Sequence, residues 1–361
     1  MKILTLLGTR PEIIRLSVII KKLNKILGKN HVVVYSNQNF DYKLSKIFFE
    51  ELDLFTPSFY FGDLEANSVG EFLSKGIERF ENILNEEKPD KILILGDTNS
   101  SLIAMMAAKR GIPVYHMEAG NRSFDPRVPE ETNRRIIDSF SKVNLPYTEN
   151  SKQNLLAEGY HKNFVFKIGN PINEVLNEYR DGIRDSVIIE ELGLKYDEYV
   201  LVTAHRSENV DNDENLIELY NFLNEIAKER KIVFSIHPRT KSKLDKLKLE
   251  FDRSIILSPP FGFFDFVKLE QRAYCVVTDS GTVQEETQIF KVPSITIRNT
   301  TERQETIENG STILTGMNYR NMMDAYNTIK FMKRDWTDIE DYNVDNVSDK
   351  VIKILFSRHG C

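Results

Sequence analysis

The sequence predicts an α/β protein made of two doubly wound parallel sheets. Three observations carry this. Short, almost continuously apolar runs alternate with amphipathic stretches along the chain, which is the pattern of parallel strands covered by helices on both faces. The alternation pauses at Gly169-Asn170-Pro171 and then starts again. The chain has 361 residues, more than the roughly 250–300 that one core accommodates.

In the first half, strands are expected at residues 2–8 (KILTLLG), 31–36 (HVVVYS), 91–97 (KILILGD) and 112–118 (IPVYHME), with weaker candidates at 143–148 and 164–169. Helical periodicity runs through 11–28, 69–87 and 98–110. Gly169 and Pro171 punctuate the chain as a hinge, because Pro171 pushes residue 170 away from helical geometry. Strands follow at 199–205, 231–237, 254–260, 274–279, 292–297 and 311–316. This gives a first domain over 1–169 and a second over 170–339. Residues 346–358 read as a helix capped at Ser348, with Asp349 in its first turn. Ligands of such sheets bind beyond the carboxyl ends of the strands, so a cleft facing both halves is the expected site.

Composition narrows the class. Hydrophobic residues make up 41% and charged residues 28%, ordinary values for a soluble globular chain. The net charge of −6 argues against nucleic-acid binding by bulk charge. No apolar run approaches the ~18 residues of a membrane span, and the opening MKILTLLGTRPE is read as a buried strand rather than a signal segment. Of the two cysteines, Cys275 lies in an apolar run and reads as core, while Cys361 is terminal. A disulfide framework is not expected, and a reducing cytoplasm fits. The six histidines and two cysteines show no metal-ligand spacing, so no metal is expected. A Gly-x-Ser-x-Gly nucleophile elbow is missing as well. His31, His161 and His359 stand in polar or terminal settings and receive no role, and His237 reads as structural.

Chemistry-bearing residues gather where strands end. Gly8-Thr9-Arg10-Pro11-Glu12 has the form of a capping box, and its free N–H groups with Arg10 would make an anion site. It reads equally as a plain cap with a solvated arginine. Asp279-Ser280-Gly281-Thr282 opens a second helix after a strand, with Gly281 allowing close approach to a pyrophosphate and Glu285 or Glu286 placed for ribose hydroxyls. Asp97, after an apolar strand, is either a substrate-facing carboxylate or the N-cap of helix 98–110. The densest stretch runs from His116 through Glu118 and Arg122 to Glu130 and Glu131, and a buried strand ending in His-Met-Glu is hard to explain by packing. Several carboxylates near one cleft suit proton transfer. His205 and Arg206 could stabilise a leaving phosphate, and Arg303 in a polar stretch starting at Arg298 could meet a second anionic group.

Taken together, GTRPE, GDTNS, HMEAGNR, PEETNRR, AHRSEN, TDSGTVQEE and TTERQE resemble, in order from residue 8 to 305, the non-hydrolysing UDP-N-acetylglucosamine 2-epimerase family. The resemblance implies two Rossmann-like domains similar to the GT-B glycosyltransferases, with residues 340–361 packed back on the first. It implies a cytoplasmic isomerase that serves surface polysaccharide synthesis, with a UDP-sugar substrate, no cofactor and a homodimeric state. It implies that Asp97, Glu118 and Glu130 are acid/base carboxylates, with Glu131 a further candidate, and that His205 assists the leaving diphosphate, with Arg206 beside it. Arg10, Ser280, Gly281, Thr282 and Arg303 match phosphate contacts, Glu286 the ribose contact, and Phe266 an aromatic near uracil. Arg15 stands where the family often has lysine. PEIIRLS, HMEAGNRSFDPRVPEETNRR and NVSDKVIKI look like the branch forming UDP-N-acetyl-L-fucosamine from a 6-deoxy-L sugar, whereas TTERQE looks like the general branch. NQNFDY at 37–42 departs from the family's regulatory UDP-sugar segment, which puts allosteric activation in doubt. A GT-B glycosyltransferase, a hydrolysing 2-epimerase and a non-catalytic UDP-sugar binder are the competing readings.

Overall fold

The computed structural model describes residues 1–36, 42–62, 66 and 68–358, with the backbone alone for 42–46. Residues 37–41 of the NQNFDY string, His359 and Cys361 lie outside the described residues. The chain divides into two compact units, Met1–Glu178 with Asp341–Cys361, and Tyr179–Glu340. Gly169-Asn170-Pro171 lies within the first, where Asn170 N donates to Asp341 O at 2.8 Å.

The first unit is organised by β1 (Ile3–Leu7), β2 (His31–Tyr35), β3 (Phe59–Tyr60), β4 (Lys91–Leu95), β5 (Val114–Met117) and β6 (Val143–Leu145). The strands are parallel, in the order β3-β2-β1-β4-β5-β6. Every residue of β1, β2 and β4 is buried. Their near-continuous apolar sequences follow from having helices on both faces. In the second unit β7 (Tyr199–Ala204), β8 (Lys231–Ile236), β9 (Ile255–Ser258), β10 (Cys275–Thr278), β11 (Ser294–Thr296) and β12 (Thr312–Leu314) form another parallel sheet, in the order β12-β11-β10-β7-β8-β9. Counted within its own unit and read from β9, this is the same 3-2-1-4-5-6 arrangement. Each sheet therefore has one switch point, between β1 and β4 and between β7 and β10, where ligand sites form beyond the strand ends.

Four expectations are corrected. Residues 164–169 form no strand: Phe166 N and Ile168 N reach Asn144 O and Pro146 O at 3.0 Å each, but Pro146 has no N–H to extend the ladder, and a single bridge, Asn144 to Val165, results. Helix 98–110 is two short helices, Asn99–Ile103 and Met105–Lys109. The last helix, Val347–Phe356, starts from Asn346, and Ser348 instead bonds Glu174 through its N–H at 2.7 Å. His31 is buried, with Nε2 at 2.9 Å from Thr5 Oγ1, and burial lowers its pKa to about 4. Cys275 is fully buried as expected, and burial pushes its thiol up to about 12. His237 caps the helix Pro238–Lys246.

The Thr9–Glu12 capping box forms at the start of the helix Arg10–Leu27. Glu12 accepts from Gly8 N, from Thr9 N at 2.7 Å and from Thr98 Oγ1 at 2.7 Å. One side chain thus ties the loop after β1 to the loop after β4. Burial raises its pKa to about 7, against the pull of those three donors. The last helix is tied at both ends. Lys22 Nζ reaches Ser348 Oγ and Asp349 at 2.7 Å each, and the buried Lys91 Nζ donates to Leu355 O at 2.6 Å and Ser357 O at 2.8 Å.

Two outcomes follow. An unfolded chain ionises Glu12 near 4.5 and the folded chain only near 7. Stability therefore falls as pH rises through that window, by about 3 kcal/mol from this group. Glu12→Gln keeps the acceptor for both backbone amides, and urea unfolding of the variant between pH 4.5 and 8 should lack this loss. Lys91→Met should cost about 2 kcal/mol and speed amide hydrogen exchange over residues 347–356. Unchanged exchange there would show that the lysine does not hold the helix.

Candidate active site

In the first unit, the loops after β1, β4 and β5 converge. An added Cβ at Gly8 would run into Ser100 Oγ, so the turn before Arg10 admits glycine alone. Arg10 is partly exposed, with its guanidinium 5.8 Å from the centre of the Phe48 ring. After β4, Thr98 takes the capping role by accepting from Ser101 N at 3.3 Å, so Asp97 is not the cap. Asp97 instead accepts from Arg134 Nε at 2.8 Å, and its backbone oxygen accepts from Asn133 Nδ2 at 2.9 Å. Arg134 is buried.

Glu118 leaves β5 with φ +67°, a left-handed conformation that is costly for a side chain of this kind. Its carboxylate accepts from Asn121 Nδ2 at 3.1 Å and pairs with Arg15 Nη1 at 3.2 Å. A Cβ built on Gly96 would lie 3.5 Å from Glu118 Oε2, which places this carboxylate against the residue before Asp97. Arg15 is 2% exposed and lies over the Tyr147 ring. At the start of the helix Pro129–Phe140, Glu131 is committed to structure. It accepts from Ser123 N at 2.9 Å and pairs with Arg135 at 3.1 Å and Arg134 at 3.4 Å. Its neighbour Glu130 is partly exposed.

His116 bridges these loops from below. Nδ1 meets Asp138 at 2.8 Å and Nε2 meets Gly96 O at 2.9 Å. Asp138 also accepts from Gly120 N at 3.2 Å and from Arg122 Nη2 at 2.7 Å. Burial would raise the pKa of Asp138, but the His116 bond and the Arg122 charge hold it below the usual carboxylate range.

In the second unit the loops after β7 and β10 meet at Asp279, which is fully buried. It accepts from His205 N and Arg206 N at 2.9 Å each and from Asn209 Nδ2 at 3.2 Å. Ser280 starts the helix Gly281–Phe290, with its Oγ 2.8 Å from Thr282 Oγ1. A Cβ at Gly281 would come within 2.9 Å of Glu302 Oε1. Arg303 is buried and paired with Glu285 and, at 3.5 Å, with Glu302, which also holds Arg298 at 2.9 Å. Glu286 is buried beside Glu270, whose pKa burial and the Glu286 charge push well above the usual range. Phe266 is partly buried against the apolar cluster of Tyr199, Leu201 and Leu269.

Each unit thus gathers its own share of the expected residues: Arg10, Arg15, Asp97, Glu118, Glu130 and Glu131 in one, His205, Arg206, Ser280, Gly281, Thr282, Glu286 and Arg303 in the other. Sequence reasoning missed Arg134, Asp138 and Asp279 as partners. The available signal was that a buried strand-end carboxylate or histidine needs a charged neighbour. Among the described residues, no cluster of three or more His, Cys, Asp or Glu is placed to hold a metal ion. Nor is any described helix long and apolar enough to cross a membrane.

Residues 21–356 match the family model of UDP-N-acetylglucosamine 2-epimerase. The chain is 40% identical to the UDP-N-acetylglucosamine 2-epimerase of Methanocaldococcus jannaschii, over 98% of this chain and 99% of that one. It is 34% identical to the UDP-2,3-diacetamido-2,3-dideoxy-D-glucuronate 2-epimerase of Pseudomonas aeruginosa, over 88% of each chain. The crystal structure of the M. jannaschii UDP-GlcNAc 2-epimerase in complex with UDP-GlcNAc and UDP superposes with a TM-score of 0.91 at 38% identity, covering 98% of this chain and 99% of that one. The two Rossmann-like sheets are therefore the GT-B-like pair that the sequence led us to expect, and the chain belongs to the UDP-N-acetylglucosamine 2-epimerase family.

Proposed function

We propose that this protein is a non-hydrolysing 2-epimerase of a UDP-N-acetylhexosamine, working by anti elimination of UDP and re-addition. The observation that carries this reading is the carboxylate set of the first unit. Asp97 and Glu118 emerge side by side from β4 and β5, each paired with a buried arginine, and Glu130 opens the helix that follows. In the forward step one carboxylate takes the proton from carbon 2. The C2–H electron pair becomes the C1–C2 double bond of a 2-acetamidoglycal. The C1–O bond breaks, and its electron pair stays on the departing diphosphate oxygen. In the return step UDP adds back while another carboxylic acid delivers a proton to the opposite face. Such proton transfers need carboxyl groups held in fixed rotamers, which Arg134 and Arg15 provide here. Glu131 is left out of proton transfer because its bonds hold the 121–128 loop.

The second unit supplies groups suited to the leaving diphosphate: the helix N-terminus at Gly281 with Ser280 and Thr282, then His205 and Arg303. In this reading Glu286 is the ribose contact, and Arg10 adds a cation at a first-unit strand end. On the substrate, the name of the M. jannaschii relative supports UDP-GlcNAc and UDP-ManNAc. PEIIRLS and NVSDKVIKI support a 6-deoxy-L sugar and formation of UDP-L-FucNAc. The resemblance further supports a homodimer acting in the cytoplasm for surface polysaccharide synthesis.

An NMR panel of UDP-GlcNAc, UDP-ManNAc and UDP-linked 6-deoxy-L-hexosamines in deuterated water tests the reaction. The enzyme should interconvert one pair and place a single deuterium at carbon 2. Asp97→Asn, Glu118→Gln and Glu130→Gln should each lower kcat by about 100-fold or more, with UDP affinity within a few-fold by calorimetry. No exchange with any sugar of the panel refutes the reading. Product formed only with an acceptor supports the glycosyltransferase reading, and free sugar supports the hydrolysing one.

A further inference from the structure

β7 and β10 are neighbours, with Thr203 opposite Thr278. His205 and Asp279 therefore leave the sheet close together at its switch point. The side chain of His205 is 45% exposed, whereas that of Asp279 is fully buried. Oδ2 of Asp279 is occupied by the N–H groups of His205 and Arg206 and by the side chain of Asn209. Its other oxygen, Oδ1, is buried with no hydrogen-bond partner and lies 3.2 Å from His205 Nδ1. Arg206 Nε closes the same junction by donating to Asp279 O at 3.0 Å. One buried carboxylate thus holds the main chain at His205 and Arg206 and leaves an unsatisfied oxygen beside the His205 ring.

We infer that Asp279 is a positioning residue that locks His205 in the Nδ1–H tautomer. A buried carboxylate oxygen that lacks a donor can only accept, and the ring nitrogen 3.2 Å away is the donor within its reach, so Nδ1 is the nitrogen that carries the proton. Nε2 is then the nitrogen left to pick up a second proton and pass it to the departing diphosphate oxygen as the C1–O bond breaks. The imidazolium formed on the way is stabilised by the buried anion, the logic by which a carboxylate orients a catalytic histidine in hydrolases. In the return step the proton goes back to Nε2 as the oxygen re-forms its bond to C1. The inference rests on the reading of His205 given above, but the tautomer itself does not depend on the reaction.

Two-bond ¹H–¹⁵N spectra of enzyme carrying ¹⁵N-labelled histidine test it directly, with His205 assigned by the signal lost in His205→Gln. At a pH where the ring is neutral, His205 of the parent should show its proton on Nδ1. In Asp279→Asn the amide carbonyl can still accept from the two backbone N–H groups while its NH₂ faces the ring. The proton should move to Nε2, and kcat should fall by about 100-fold or more with KM within about threefold. A parent ring protonated on Nε2 overturns the inference without any variant. So does a folded Asp279→Asn enzyme with the kcat of the parent. An Nδ1–H parent that epimerises no sugar supports the lock and instead sinks the proposed reaction.

Discussion

Buried carboxylates that accept backbone N–H groups anchor the loops after β1, β5 and β7. Where a parallel strand ends, the next amides lose their ladder partners while still buried, and an unpaired buried N–H is costly. Glu12 serves Gly8 and Thr9, Asp138 serves Gly120, Glu131 serves Ser123, and Asp279 serves His205 and Arg206. Charge-assisted bonds of this kind are shorter and stronger than neutral ones, so they set the direction in which each chain leaves its sheet. Burying the charge has its own cost, and the four sites meet it differently. Asp138 has His116 and Arg122 against it and stays below the usual range. The donors on Glu12 are two amides and a hydroxyl, all neutral, and its pKa rises to about 7. Cations, more than hydrogen bonds alone, decide whether such an anchor remains an anion.

The same anchors explain why a strained backbone survives at Glu118. A left-handed glutamate persists only where its surroundings over-determine it. On one side Arg15 and Asn121 hold the carboxylate. On the other, Gly120 has φ +79° and no room for a Cβ, because Ser151 O lies against it. Asp138 then takes the N–H of that glycine. The turn is thus fixed from its side chain, its neighbour and its amide together, and the carboxylate is aimed by the backbone instead of by rotamer choice alone.

Much of this was legible before any coordinates. Apolar runs such as KILILGD and YVLVTAH mark strands because both faces of a parallel sheet are covered, and Thr9 with Glu12 marks a helix start because the spacing of a capping box is local. What escaped was non-local. Nothing in GDTNS says that Thr98 caps the helix and so leaves Asp97 to Arg134, since that arginine comes from a helix 37 residues away. Ser348 looks like a cap by its position before VIKI, yet its N–H is taken by Glu174, 174 residues away. The strand expected at 164–169 failed for a reason visible in the partner, Pro146, and not in the segment itself. Charge partners and ladder partners are properties of the fold, and a single chain read in order shows only half of each pair.

The two sheets share one strand order but end in different chemistry. At the first switch point the side chains are carboxylates matched to arginines. At the second they are a histidine, arginines and a helix N-terminus, with a buried aspartate beneath. Under the proposed reaction these sets have opposed needs. A carboxylate that must take a proton from carbon loses activity if a phosphate-binding cation neutralises it too well, and a diphosphate is repelled by carboxylates placed to serve carbon 2. Repeating one topology lets each requirement be met on its own sheet, where its local electrostatics can be set separately. Arg15 and Arg134 are then best understood as part of the carboxylate set, since each is buried and paired with one of those carboxylates, while Arg10 stands partly exposed at the neighbouring strand end with its guanidinium near the Phe48 ring.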